Sequence, residues 1–337
     1  MRKPIGFRSK KDRQTGKRWV YPIMPKSSTP SSWVIPKNME EARRLHESRS
    51  ERAQIIDEAL EARITTDYAK WAKAPNKWDI RGIDLFPAPT LPNDFVNNVK
   101  VLAYASEQYY NKDLSDIKIF AHTEDSFDKA YGLKGASHTV YAFAVPDKKE
   151  VHFSPEAVKT VTKGKIENEE DFWSFHAVAH EIGHVVGTMP GRGVTAFDEG
   201  SNELLAVRFA INNIQMPREL RAKLLSSPSY TYAREVHLAA DTAILVNDGD
   251  KEKAVDWLVQ LKKADPEKRN KMINEAGAKL ERTYGIKEMY WSPFFQNMRF
   301  SDTDKQRREE MERMFKVLRP EWYEKTHGSN FTWWAKV

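Results

Sequence analysis

The periodicity of apolar positions changes several times along the chain, and each change predicts an element. Residues 94–110 predict a helix, and residues 116–122 (DIKIFAH) alternate as a strand does. Segment 138–155 predicts two strands joined by a tight turn at PDKKE. Residues 169–187 predict a long helix that a glycine- and proline-rich loop ends. From about residue 198 the pattern is almost wholly helical.

The two ends of the chain have different patterns. Near the N-terminus, proline, serine and basic residues predict an extended arm over 1–37, with a short hairpin in GFRSKKDRQTGKRWVYPI. A charged helix follows over about 39–73, and KAPNKWDIRGIDLFPAPTLPN is predicted as a connector. The C-terminal part is predicted as six helices over 198–213, 217–226, 230–247, 251–264, 266–284 and 302–317.

These patterns predict an α+β fold in four segments. The small mixed sheet and the long helix form a core over 91–215, and a mostly helical subdomain follows over 216–337. Residues 1–37 form the basic arm, and residues 38–90 form the charged helix with its connector.

Composition excludes several kinds of chemistry. The 337 residues include no cysteine, so disulfides, thiolate metal sites and cysteine nucleophiles are all excluded. No apolar run approaches the roughly 20 residues that a membrane span needs, and no membrane partner is expected. The first residues are basic but lack the apolar core of a signal peptide. A cytoplasmic location is therefore expected.

The positive charge is concentrated in the arm. The net charge is +6, yet residues 1–37 hold ten Lys or Arg and a single acid, so the remainder carries −3. An arm with this charge could bind nucleic acid or another polyanion. The alternative is a solvated tail with no partner.

The most informative stretch is HEIGH at residues 180–184. On a helix, His180 and His184 lie one turn apart on the same face and can both bind one ion. Glu181 lies beside the first of them, where it could take a proton from an activated water. Zn²⁺ is the metal that this spacing predicts. The bare motif is only moderately specific, but its place in a helix after a strand pair supports it.

The third ligand has two candidates. Pro190 stands where the metzincin pattern H-E-x-x-H-x-x-G-x-x-H requires its last histidine, so that version is excluded. Glu199 and Glu203 lie four residues apart in DEGSNE, on one face of the next helix. One of them could bind the metal while the other supports a ligand histidine.

DEGSNE resembles the second motif of the gluzincin metallopeptidases, often N-E-G-x-x-E, and this resemblance implies that Glu199 is the ligand. The interval between His184 and Glu203 is similar to the spacing in gluzincins and implies Glu203 instead. The segment ELLAVRFA resembles the E-x-x-A-x-x-F-A helix of the IrrE/ImmA-type metallopeptidases, and this resemblance also implies Glu203. We favour Glu199, since loop length varies more readily than local helix chemistry. The resemblance covers about residues 116–210 and implies a zincin-like core.

Further residues are candidates for supporting roles. Tyr232 and His237 follow the second motif and could donate a hydrogen bond to the oxyanion of a peptidase reaction, although ordinary packing is the favoured role for each. His176 could support the site or serve the core. A substrate strand is expected to add to VYAFAV or EVHFSP.

Together these features predict a zinc-dependent endopeptidase that acts on a protein or peptide. The alternative is a binding or structural protein built on a zincin-like core, with the basic arm contacting nucleic acid or a partner. A basic arm beside such a core also resembles phage or mobile-element proteins, which would place the protein in a virion.

Overall fold

The computed structural model describes residues 6–11, 18–23, 60–73, 77–83, 91–187, 194–226 and 230–297. The chain forms two compact units, residues 1–56 and 57–337. In the first unit, strands β1 (Gly6–Lys11) and β2 (Arg18–Ile23) pair antiparallel, which confirms the predicted hairpin. The rest of the arm and most of the predicted charged helix lie outside the described residues.

The second unit contains a four-stranded mixed sheet. Its strands are β3 (Asp79–Ile83), β4 (Lys118–His122), β5 (Ala142–Val145) and β6 (Glu150–Phe153). They are arranged in the order β3-β4-β6-β5. The first three run parallel, while β5 pairs antiparallel with β6 and forms one edge of the sheet.

Strand β3 is a correction to the sequence prediction. Its five residues, DIRGI, lie inside the segment that was predicted as a connector. Prolines on both sides, one before the strand and three after it, hide so short a strand in the sequence. Pairing with β4, rather than local pattern, stabilises it. The sheet therefore begins before residue 91.

The two faces of the sheet differ. Ile119, Ala121, Val151 and Phe153 are fully buried beneath the helices, and Phe153 meets Phe95 edge to face at 5.7 Å between ring centroids. The alternate residues of the same strands lie on the opposite face. This alternation is the reason the strand pattern was visible in the sequence.

The rest of the unit is helical. Residues 60–71 form α1. The others are α2 (Asn93–Tyr110), α3 (Glu124–Tyr131), α4 (Pro155–Lys163), α5 (Glu169–Gly187), α6 (Ala196–Asn213), α7 (Arg218–Ser226), α8 (Ala233–Val246), α9 (Lys251–Lys263), α10 (Pro266–Tyr284) and α11 (Glu288–Ser292). The α+β class is thus confirmed; α4 and α11 were not predicted, and the predicted helix over 302–317 lies outside the described residues.

Helices α5 and α6 carry the candidate ligands, and both have defined starts. The side chain of Asn168 accepts the backbone N–H of Asp171 ahead of α5. Thr195 and Asp198 form a reciprocal capping box at the start of α6, each side chain accepting the other's backbone N–H. These caps fix where the two helices start, and the burial of both helices fixes their ligand-bearing faces.

Helix α8 packs closely on α6. A Cβ atom at Gly200 would lie 2.1 Å from the backbone oxygen of Glu235, so only glycine allows this approach. The predicted C-terminal subdomain therefore shares its core with the ligand-bearing helices. None of the helices in the described part of the chain has the length and apolar character needed to cross a membrane.

Candidate metal centre

The HEIGH motif, with its two candidate ligands and its candidate base, lies on the last two turns of α5. His180 and His184 are buried on the face that packs against α6, while Glu181 is partly exposed. The C-terminal end of this helix is held by a cation, because Lys112 Nζ donates to the carbonyl of Val186 at 2.5 Å. The motif thus lies next to a helix end that a side chain just after α2 holds in place.

Glu199 faces both histidines of the motif. Its Oε2 lies 3.1 Å from His180 Nε2, its Oε1 lies 3.5 Å from His184 Nε2, and the two imidazole Nε2 atoms are 3.0 Å apart. Nitrogen and oxygen ligands at ordinary zinc bond lengths span tetrahedral edges of about 3.3 Å. The observed spacing therefore fits one small ion bound by His180, His184 and Glu199.

Glu203 faces the other side of the same imidazole. Its Oε2 lies 3.1 Å from His180 Nδ1 and 3.0 Å from His176 Nε2. Its Oε1 accepts the backbone N–H of Thr231 at 2.7 Å. A carboxylate at Nδ1 favours a proton on that nitrogen, which leaves Nε2 free to bind a metal. His176, His180 and Glu203 also lie close enough together to form a second metal-compatible group.

The charges of this cluster are strongly coupled. Burial lowers the pKa of His180, but Glu199 and Glu203 outweigh that effect and raise it to about 10. Burial raises the pKa of Glu199, but His184 and His180 outweigh that effect and lower it to about 2. Without a metal, the cluster therefore holds a protonated histidine between two carboxylates near neutral pH.

Glu181 lies next to this cluster and against the edge of the sheet. Burial raises the pKa of its carboxyl group, and the nearby histidines act in the opposite direction. The backbone N–H of Ala144 in β5 donates to the carboxylate. A carboxylate with a raised pKa beside metal-binding groups is suited to accept a proton.

Tyr232 and His237 are placed differently. The ring of Tyr232, at the start of α8, lies 5.7 Å from the ring of His180. Burial, followed by the charges of Glu199 and Glu181, raises the pKa of its phenol, so the O–H proton stays in place near neutral pH. His237 is buried further along α8 and belongs to neither metal-compatible group of the described residues.

Some contributors were not found from the sequence. The backbone N–H groups of Ala144 and Thr231 contact Glu181 and Glu203, and main-chain contacts leave no signature in residue type. Asp198 was visible in DEGSNE, but its partner Arg269 is 71 residues away in sequence. No periodicity or motif could have paired those two residues.

Comparison with known proteins adds no family to this description. No protein-family model matches the chain, and neither a curated protein nor a solved structure matches it. The site therefore has to be interpreted from its own geometry.

Proposed function

We propose that the protein is a zinc-dependent metallopeptidase with a zincin-like core. The single observation that carries the proposal is the donor triangle formed by the side chains of His180, His184 and Glu199. The two imidazole Nε2 atoms lie 3.0 Å apart, Oε2 of the carboxylate lies 3.1 Å from His180 Nε2, and its Oε1 lies 3.5 Å from His184 Nε2. Three protein ligands that leave a fourth position open are typical of catalytic rather than structural zinc sites. Glu181 beside this triangle supplies the proton acceptor that hydrolysis needs.

A zinc ion held there would supply Lewis acidity, which polarises a scissile carbonyl and acidifies a water molecule. Glu181 then takes the proton of the attacking water and passes it to the leaving amine. Tyr232 keeps its phenolic proton near neutral pH, so its O–H can donate a hydrogen bond to the oxyanion of the tetrahedral intermediate. Glu203 holds the tautomer of His180 through Nδ1.

Strand β5 supports a peptide as the substrate. The carbonyl of Tyr141 accepts the N–H of Ser154, the residue after β6. Backbone hydrogen bonds in an antiparallel pair are made by every second residue, so Phe143 and Val145, like Tyr141, direct their N–H and C=O groups toward β6. Ala142 and Ala144 direct theirs to the outer edge, where Glu181 also contacts the strand. An extended peptide added along that edge would pass the donor triangle.

The test compares Glu181→Gln with wild type and with Glu170→Gln, an exposed glutamate on the same helix. Each protein is loaded with zinc, its metal content is measured by elemental mass spectrometry, and it is incubated with a mixture of end-blocked peptides. New peptide termini are counted by mass spectrometry.

Wild type and Glu170→Gln should bind one zinc and cleave peptides. Glu181→Gln should keep the zinc and lose about 10²- to 10⁴-fold in rate, since the general base alone is removed. Unchanged cleavage by Glu181→Gln would refute the role of that residue. A wild-type protein that binds zinc but leaves the whole peptide mixture intact would refute the peptidase assignment.

A further inference from the structure

Two buried basic side chains reach the ligand-bearing helices from the C-terminal part of the chain. Lys262 comes from α9 and Arg269 from α10, and they are only 1% and 3% exposed. Buried cations of this kind are rare unless a partner neutralises them. The partner here is Asp198, the residue directly before Glu199.

Arg269 joins the end of α5 to the start of α6. Its Nη1 donates to the carbonyl of Gly187, the last residue of α5, and its Nη2 donates to Oδ1 of Asp198. Lys262 Nζ lies 3.4 Å from the carbonyl of Asp198 and 3.5 Å from its Oδ1. The guanidinium group therefore bridges two helix termini that the chain connects only through residues 188–195.

The second carboxylate oxygen of Asp198 is also hydrogen-bonded. Oδ2 accepts the backbone N–H and the hydroxyl of Thr195, at 3.2 and 2.9 Å. Burial alone would raise the pKa of Asp198, but Arg269 and Lys262 outweigh that effect and keep it well below the usual range. Both carboxylate oxygens are thus held, and with them the first turn of α6.

The spacing of the helices is also tight at this point. A Cβ atom at Gly187 would lie 2.6 Å from Lys262 Cδ and 2.9 Å from its backbone oxygen. Helix α9 therefore contacts the end of α5 directly, and the bridge cannot relax by moving that end toward α9.

We propose that Arg269 is a positioning residue that sets the distance between the two histidines on α5 and Glu199 on α6. Metal ligands must lie within about 0.2 Å of their required distances, so a small shift of the first turn of α6 would separate Glu199 from the histidines. Because the inference rests on the proposed metal site, its test has to report on the metal directly.

The experiment replaces Arg269 by Lys, which keeps the positive charge but not the planar guanidinium group that donates to both Gly187 and Asp198. Arg221→Lys is the matched control. Arg221 is also buried, and it donates to the carbonyls of Ile211 and Ile214 near the opposite end of α6. Zinc affinity is measured by chelator competition below the unfolding temperature of every variant, and the visible spectrum of the Co²⁺-loaded proteins reports the ligand geometry.

We expect Arg269→Lys to bind zinc about 10- to 100-fold more weakly than wild type, as supporting contacts of metal sites typically require, with an altered Co²⁺ spectrum. Arg221→Lys should unfold at a lower temperature yet keep wild-type zinc affinity and spectrum. If Arg269→Lys does not fold, Asp198→Asn removes the same bridge from its other end and should show the same loss.

Wild-type zinc affinity in the folded bridge variant would overturn the inference, since it would show that the bridge does not set the ligand distance. An equal loss of affinity in Arg221→Lys would overturn it too, since that would indicate general destabilisation. Failure of the wild-type protein to bind zinc is a different result, because it contradicts the proposed function itself.

Discussion

Replacing each of the two glutamates of α6 separately by glutamine distinguishes their roles. Glu199→Gln and Glu203→Gln each replace a carboxylate by an amide, and the two positions lie one helical turn apart. Glu199 faces the Nε2 atoms of two histidines, whereas Glu203 faces His180 Nδ1 and His176. The geometry therefore predicts that only the first substitution removes a metal ligand.

The expected magnitudes follow from these contacts. Structural zinc sites with four protein ligands bind with about 10–16 kcal/mol, or about 2.5–4 kcal/mol for each ligand. Glu199→Gln should then weaken zinc binding by about 10²- to 10³-fold, at about 1.4 kcal/mol for each factor of ten. Glu203→Gln leaves three ligands and should cost about 10- to 100-fold, as the loss of a carboxylate behind a ligand histidine does.

Zinc dissociation constants from chelator competition test this ranking, and X-ray absorption of the zinc-loaded proteins counts the nitrogen and oxygen neighbours of the ion. Glu203→Gln should retain the wild-type neighbour count, and Glu199→Gln should not. A larger loss of affinity for Glu203→Gln, together with a changed count, would show that Glu203 is the ligand and that our assignment is wrong.

Two further predictions concern protons and packing. Zinc binding near pH 7.5 should release a proton, because the pKa of His180 is raised to about 10 and the metal displaces the proton of that imidazole. Zinc affinity should therefore rise by about tenfold per pH unit up to that pKa. Titration calorimetry that gives the same heat in buffers of different ionisation enthalpy would contradict this. Gly200→Ala should destabilise the fold by about 1–3 kcal/mol or more, since the new methyl group meets the backbone of Glu235. The new methyl group of Gly183→Ala would meet side-chain atoms, Asn202 Oδ1 at 3.0 Å and the hydroxyl of Tyr110 at 3.2 Å, and not backbone, so this substitution should cost less in the same denaturant unfolding measurement.

Local sequence patterns predicted the central helices well. The predicted helix over 169–187 matches α5, and the strand pair in 138–155 matches β5 and β6. In each of these elements the apolar residues recur with a clear period, and turn or loop residues mark where the element ends. Helical geometry alone then places His180 and His184 on one face.

Long-range pairing accounts for what the sequence did not predict. Strand β3 forms because β4 offers it a partner, and its five residues carry too little pattern to indicate a strand. Arg269 resembles any other charged residue of an amphipathic helix until its contact with Asp198 is known. Such contacts depend on how distant helices pack, which local periodicity does not encode.

The ambiguity between Glu199 and Glu203 has a physical origin in helix packing. Helices α5 and α6 run antiparallel, and their facing side chains form two layers. In the inner layer Glu203 lies between His176 and His180, and in the outer layer Glu199 lies between His180 and His184. The layers repeat every turn, so a shift of one turn between the helices would exchange the two roles.

The two layers nevertheless differ in access. In the inner layer, Glu203 is 1% exposed and one of its oxygens is already committed to the N–H of Thr231. In the outer layer, Glu199 is 6% exposed and lies beside Glu181, which reaches the edge strand at Ala144. A metal in the inner layer would be closed off from a substrate strand, whereas one in the outer layer lies next to it. Access therefore favours Glu199, on grounds independent of motif spacing.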